Sequence, residues 1–158
     1  MKCKRHILVD SSTKRSKGSG WGRSAACWAL FYGADKTPDK IGLLYAPQEG
    51  PNRMFIWGVL SALEYRFNLY EIDYELIVKG DCKCAIDVLN GTSGHNQLKG
   101  LFDLTKSLEK RLKSEKDVDV RYEYLPRADA LYQSIDRCAK DVSNFIEQRF
   151  SLKKRQAS

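Results

Sequence analysis

"IVKGDCKCAIDVLNG", residues 77–91, sets an apolar run, a glycine and one acid directly before a change of periodicity. Together with Tyr74, Glu75 and Leu76, the run predicts a strand over Tyr74 to Lys79. Past Asp81 the pattern is helical: Cys82 to Leu89 reads as a short helix, closed by Asn90 and Gly91 as a C-cap. Asp81 thus stands where a buried strand hands over to a helix. A carboxylate in that setting is costly to bury and calls for a partner.

A second acid has a similar setting. His6 to Val9 is a short apolar strand that ends at Asp10, and Ser11 to Gly20 is polar and basic, which predicts a loop. Trp21 to Gly33 and Ile41 to Ala46 read as two more strands, separated by a charged turn that contains Pro38. From Asn52, a candidate N-cap, Phe55, Ile56, Val59, Leu60, Leu63 and Phe67 recur at helical spacing. Leu98, Leu101, Phe102, Leu104 and Leu108 mark a further helix. Val118, Val120, Tyr122 and Tyr124 alternate as a strand that Pro126 ends. A long last helix spans Ala130 to Phe150, with Leu131, Ile135, Cys138, Val142, Phe145 and Ile146 on one stripe. The expected order is β-β-β-α-β-α-α-β-α, an α/β fold with a mixed five-stranded sheet and helices packed on it. Residues 1–150 are expected to form one domain, and 151–158 a polar basic tail.

Composition agrees with a folded chain. Of 158 residues, 42% are hydrophobic and 30% charged, enough apolar material for a core. The net charge of +7 favours an anionic partner such as nucleic acid, although a basic surface also serves solubility alone. The five cysteines are odd in number and scattered, which argues against a disulfide framework and for a reducing compartment. Cys82 and Cys84 form C-x-C, but no second pair or nearby His completes a zinc site. The opening MKCKRHILVD has only a short apolar run before an acid, and no run reaches the roughly 18 residues of a membrane span. The expected location is intracellular, without a membrane partner.

In a mixed sheet of this order, the strands ending at Asp10 and Asp81 can lie side by side and parallel. Their C-terminal ends then meet at the edge where open α/β sheets bind ligands. Two carboxylates repel there unless a cation lies between them. Oxygen ligands suit Mg²⁺ or Mn²⁺. A metal pair about 3.5–4 Å apart would suit phosphodiester hydrolysis.

With these residues placed, the chain resembles the ribonuclease H-like family, type 1. "HILVDSSTKRSKGSGWG" is similar to its first strand, acid and Gly-rich lead into the second strand. "LIVKGDCKCAIDVLNG" resembles its Gly-Asp strand end followed by a helix closing on Leu-Asn-Gly, and "VRYEYLPRADALYQSIDRCAKDV" its closing strand, Pro-Arg turn and final helix. The resemblance implies a divalent-metal-dependent endonuclease that hydrolyses the RNA strand of RNA–DNA hybrids as a monomer, choosing the hybrid by groove shape and 2′-OH contacts rather than by base reading.

The family uses Asp, Glu, Asp and Asp. Asp10 and Asp81 match the first and third acids, and Asp136 is the match taken for the fourth, with Asp129 as competitor. The second acid is a Glu near the start of the first long helix. The matching window, Trp57 to Ser61, holds no acid. Glu64 is the acid on that helix, either a displaced ligand or a surface charge, and Glu49 in the preceding loop is another conceivable ligand. The expected catalytic and metal-binding set is Asp10, Glu64, Asp81 and Asp136, around two Mg²⁺ or Mn²⁺ ions. Lys14, Arg15, Lys17, Arg23 and Arg127 are the candidate nucleic-acid contacts. The missing Glu keeps a second reading open, a degenerate module that binds nucleic acid or a protein partner without cleaving.

Overall fold

The computed structural model describes residues 2–15, 21–32, 37–47, 49–94, 96–126 and 130–157. Nine elements follow one another: β1 (Cys3–Arg15), β2 (Trp21–Tyr32), β3 (Lys40–Ala46), α1 (Pro51–Phe67), β4 (Tyr74–Gly80), α2 (Lys83–Leu89), α3 (Lys99–Lys116), β5 (Val118–Tyr124) and α4 (Ala130–Ala157). This is the expected order. The strands form one sheet in the order β3-β2-β1-β4-β5. β1 pairs antiparallel with β2, and β2 with β3, whereas β4 lies parallel to both β1 and β5. The parallel pairs require crossovers, which the helices provide.

Strand alternation divides the core between the two faces of the sheet. Ile7, Val9, Trp28, Leu30, Leu76 and Val78 pack under α1, α2 and α3 with Phe55, Val59, Leu63, Ile86 and Leu112. On the other face Leu8, Cys27, Ala29 and Phe31 meet Ile135 and Ala139 of α4, flanked by Cys138 and Val142. Phe145 belongs to the expected stripe but stays 60% exposed. The side chains of Leu131 and Ile146 lie outside the described residues.

Three local expectations change. Ser11 to Arg15 is strand, not loop, because its backbone pairs with β2 from Ser11↔Ala26 to Arg15↔Trp21. Tertiary pairing overrides the polar composition there. The helix start is Gly50 as N-cap with Pro51 first in the helix, where a missing N–H costs nothing. Asn52 instead accepts from Cys82 Sγ at 3.1 Å and donates to Cys84 Sγ at 3.4 Å. Finally, α4 continues to Ala157 through the segment expected to be tail, which contains no glycine or proline to stop it. Among the described residues, no helix is long and apolar enough to cross a membrane.

Close packing marks Gly42 on β3. A Cβ there would lie 2.0 Å from Cε2 of Trp28. Trp28 is 4% exposed, and its Nε1 donates to Ser61 Oγ at 3.0 Å. The ring has little room to give. Gly42→Ala is expected to destabilise the protein by about 1–3 kcal/mol, the usual range for overpacking. Urea unfolding measures it; a loss under about 0.5 kcal/mol, typical of an unconstrained surface site, would show that Trp28 repacks freely.

Candidate active site

The β1–β4 register sets the site. Its parallel pairs run from Cys3↔Tyr74 to Leu8↔Lys79. Asp10 and Asp81 each lie two residues past that last pair, Asp10 within β1 and Asp81 just after β4 ends, on adjacent strands spaced about 4.8 Å apart. Asp10 is 3% exposed and Asp81 is half-buried. Burial pushes the Cys82 thiol up to about 11 against a backbone hydrogen bond at Ala85 that lowers it, and nearby Cys84, Asp81 and Asp10 add to the rise. Asp10 faces Cys27 across the β1–β2 ladder. Burial, and then a hydrogen bond with Cys138 of α4, push the Cys27 thiol upward.

Gly80 closes the strand ends together. A Cβ at Gly80 would lie 2.8 Å from the carbonyl oxygen of Val9 and 2.4 Å from the Phe55 ring. The residues just before Asp10 and Asp81 therefore touch, and Phe55 of α1 seals that contact from one side. One turn on, Gly58 lets α1 approach Val9 and Ala26, since a Cβ there would lie 2.9 Å from Val9 Cγ1. Ser11 Oγ donates to the Pro51 carbonyl at 3.4 Å and Ser24 Oγ to the Glu49 carbonyl at 2.6 Å, fixing the start of α1 beside the β1–β2 hairpin.

The other expected acids lie elsewhere. Glu64 is exposed, nine residues beyond Phe55, or roughly 13 Å along the helix. It borders a groove of about 550 Å³ between α1 and α3 with Trp57, Leu60 and Arg111. The structure does not bring it to the strand ends, because the helix rise carries it away. Asp136 is on α4, on the face of the sheet that Leu8 and Cys27 share, and is ion-paired to Lys140 at 2.7 Å. Among the described residues, no three His, Cys, Asp or Glu side chains form a group that could hold a metal ion. Asp136 and Glu64 thus do not complete a set with Asp10 and Asp81. Asp129 lies outside the described residues. The chain leading toward it leaves from the same edge, where Leu125 N–H donates to the Gly80 carbonyl at 2.8 Å.

Two carboxylates with water completing the shell fit one Mg²⁺ or Mn²⁺, which commonly keeps several waters. They do not supply the ligands of a metal pair.

Of the expected nucleic-acid contacts, Lys14 and Arg15 are exposed at the end of β1, and Arg23 is half-buried on the paired strand β2. Lys17 and Arg127 lie outside the described residues. The lysines of α3 read as a solvated face: Lys106 pairs with Glu109, Arg111 with Glu115, and Lys113 with Asp117 and Asp119. Sequence reasoning missed a groove of about 710 Å³ next to the acidic edge, lined by Asn52, Arg53, Cys84, Asn96 and Gln97 among others. Arg53 is held there by Glu49 at 2.7 Å and by the Gln97 carbonyl at 3.1 Å. The polar pair Asn52–Arg53 at a helix start was the available signal.

No family model matches the chain, and no curated protein matches it by sequence. Solved structures do. The N-terminal RNase H domain of rv2228c from Mycobacterium tuberculosis, solved as a fusion with maltose binding protein, aligns with a TM-score of 0.76 at 19% identity, covering 93% of this chain and 98% of that one. RNase H1 from the halophilic archaeon Halobacterium salinarum NRC-1 aligns at 0.67 and 20% identity, covering 87% and 98%. LC11-RNase H1, solved in complex with RNA/DNA hybrid, aligns at 0.67 and 17% identity, covering 87% and 96%. At such identities the likeness is one of architecture, and it agrees with the sheet order: this chain has a ribonuclease H-like fold.

Proposed function

We propose that this chain is a divalent-cation-dependent phosphodiester hydrolase acting on the RNA strand of RNA–DNA hybrids. The observation that carries the reading is the placement of Asp10 and Asp81 each two residues past Leu8↔Lys79, the last pair of the parallel β1–β4 ladder. Asp10 and Asp81 would hold Mg²⁺ or Mn²⁺. A cation so held lowers the pKa of bound water and neutralises charge at a phosphate. Lys14, Arg15 and Arg23 would meet backbone phosphates beside this edge, with Lys17 and Arg127 as further contacts. The groove at Arg53 and Gln97 offers polar groups to sugar hydroxyls, so the hybrid would be selected by shape and 2′-OH rather than by base sequence. The solved hybrid complex of a protein with the same architecture supports this choice of substrate. The reading includes an intracellular monomer.

A binding module without cleavage is the second reading, favoured by Phe55, which stands where α1 meets the strand ends and carries no charge. A labelled hybrid duplex separates the two. Cleavage that needs Mg²⁺ or Mn²⁺ supports the hydrolase. Binding that weakens steeply with salt, without cleavage in either ion, supports the module. Glu64→Gln is expected to leave cleavage and hybrid affinity within about twofold of wild type, since a surface charge that far from the edge contributes little. A loss of a hundredfold in that variant would return Glu64 to the site.

A further inference from the structure

We infer that Phe55 limits the acidic edge to a single divalent cation. The inference rests on the cation-binding role just proposed for Asp10 and Asp81, and it concerns what α1 contributes there.

A second cation needs a further anionic oxygen beside the strand ends. On the core side, the element that reaches them is α1, and its reach is set by close contacts. Gly58 admits the helix against Val9 and Ala26, and Phe55 meets Gly80, the residue before Asp81. The first turn of α1 contains no acid. Phe55 is 0% exposed, as are Met54 and Ile56 beside it. An aromatic ring donates no oxygen, and its burial leaves no water layer in which a ligand could be replaced by solvent. Asn52, the nearest polar side chain on this turn, has its amide held between the sulphurs of Cys82 and Cys84.

Charge gives the same count. Asp10 and Asp81 together bring two negative charges, which one divalent cation neutralises. Among the described residues no third acid joins them, so a second cation beside a carboxylate that is 3% exposed would bring further charge to a poorly solvated place. Phe55 itself is explained without a metal. Its burial under Gly80 adds apolar contact to the core, and a carboxylate there would give that up.

The test is cation stoichiometry, read by Mn²⁺ electron paramagnetic resonance and titration calorimetry on the whole chain. Wild type is expected to bind one Mn²⁺, and Asp10→Asn to lose it. Phe55→Glu is expected to bind two; Phe55→Leu, which keeps the site apolar, is expected to remain at one. Circular dichroism and thermal unfolding establish that each variant is folded. If Phe55→Glu does not fold, wild type and Phe55→Leu still decide. Two Mn²⁺ bound by wild type would overturn the inference and leave the proposed activity standing. A folded Phe55→Glu that still binds one would also overturn it. No Mn²⁺ bound by wild type, with no hybrid cleavage, would remove the reading on which it rests.

Discussion

Asp10→Asn and Asp81→Asn should each lower cleavage of an RNA–DNA hybrid by at least about a hundredfold. Changes one shell further from a metal already cost about 10–100-fold, and these residues are the proposed ligands themselves. The same substitutions should leave the cation-free protein as stable as wild type, or more so. Each removes one of two like charges at adjoining strand ends, and Asp10 is 3% exposed, so its charge also carries a desolvation cost. Thermal unfolding with and without Mg²⁺ reads both halves. Added Mg²⁺ should raise the melting temperature of wild type and not of the variants, since only a bound ligand stabilises. If both variants lose more than about 1 kcal/mol without any cation, as lost structural hydrogen bonds would cause, the carboxylates hold the fold rather than a metal.

Replacing Glu71 by Ala should cost about 3 kcal/mol, because it leaves a buried cation without its counter-charge. Arg66 is fully buried and pairs with Glu71 at 3.0 Å. Its guanidinium also donates to Tyr74 Oη at 3.1 Å and lies 4.4 Å over the Tyr74 ring. Glu71 receives further bonds from Tyr32 Oη at 2.8 Å and Arg5 Nε at 3.2 Å. Burial alone would raise the Glu71 carboxyl, but the bonds from Tyr32, Arg66 and Arg5 prevail and hold it below 4.5, its ordinary value. A lowered folded-state pKa means that this stabilisation is complete above about pH 4.5 and is lost as pH falls through the folded value. Urea unfolding of wild type should therefore show stability falling below about pH 4.5. The same series on Glu71→Gln should lack that component. An unchanged acid profile in Glu71→Gln would mean that other carboxylates set the acid limit.

The network around Arg66 was not legible in the sequence. Arg5, Tyr32 and the stretch Glu71 to Tyr74 come from separate segments, and the β1–β2 and β1–β4 pairings and the end of α1 bring them together. Phe55 was equally hidden. It belongs to the helical stripe Phe55, Ile56, Val59, Leu63, where it reads as one more core residue. Only the contact with Gly80 shows that this member of the stripe stands at the strand ends, upstream of the window in which an acid was sought. Glu64 looked eligible because it is the acid on α1, and the helical rise disqualifies its position at the edge. Asp136 rests on the motif resemblance alone; on α4 it is ion-paired to Lys140, and among the described residues no group of three ligands joins it to Asp10 and Asp81.

By itself the sequence determined the succession of elements and the placing of Asp81 just past the end of β4, whereas Asp10, expected at a strand end, lies within β1. The succession and the place of Asp81 follow from short-range signals: apolar runs, a change of period at Gly80–Asp81, and breaks at Pro38 and Pro126. The tertiary structure decided how far strands extend and which side chains meet. Ser11 to Arg15 becomes strand because β2 satisfies its backbone, against its own composition. The edge has an aromatic neighbour rather than another acid because glycines at 58 and 80 let α1 pack close enough to bury one. Contacts of that kind depend on the register and approach of distant segments, and no local pattern encodes them.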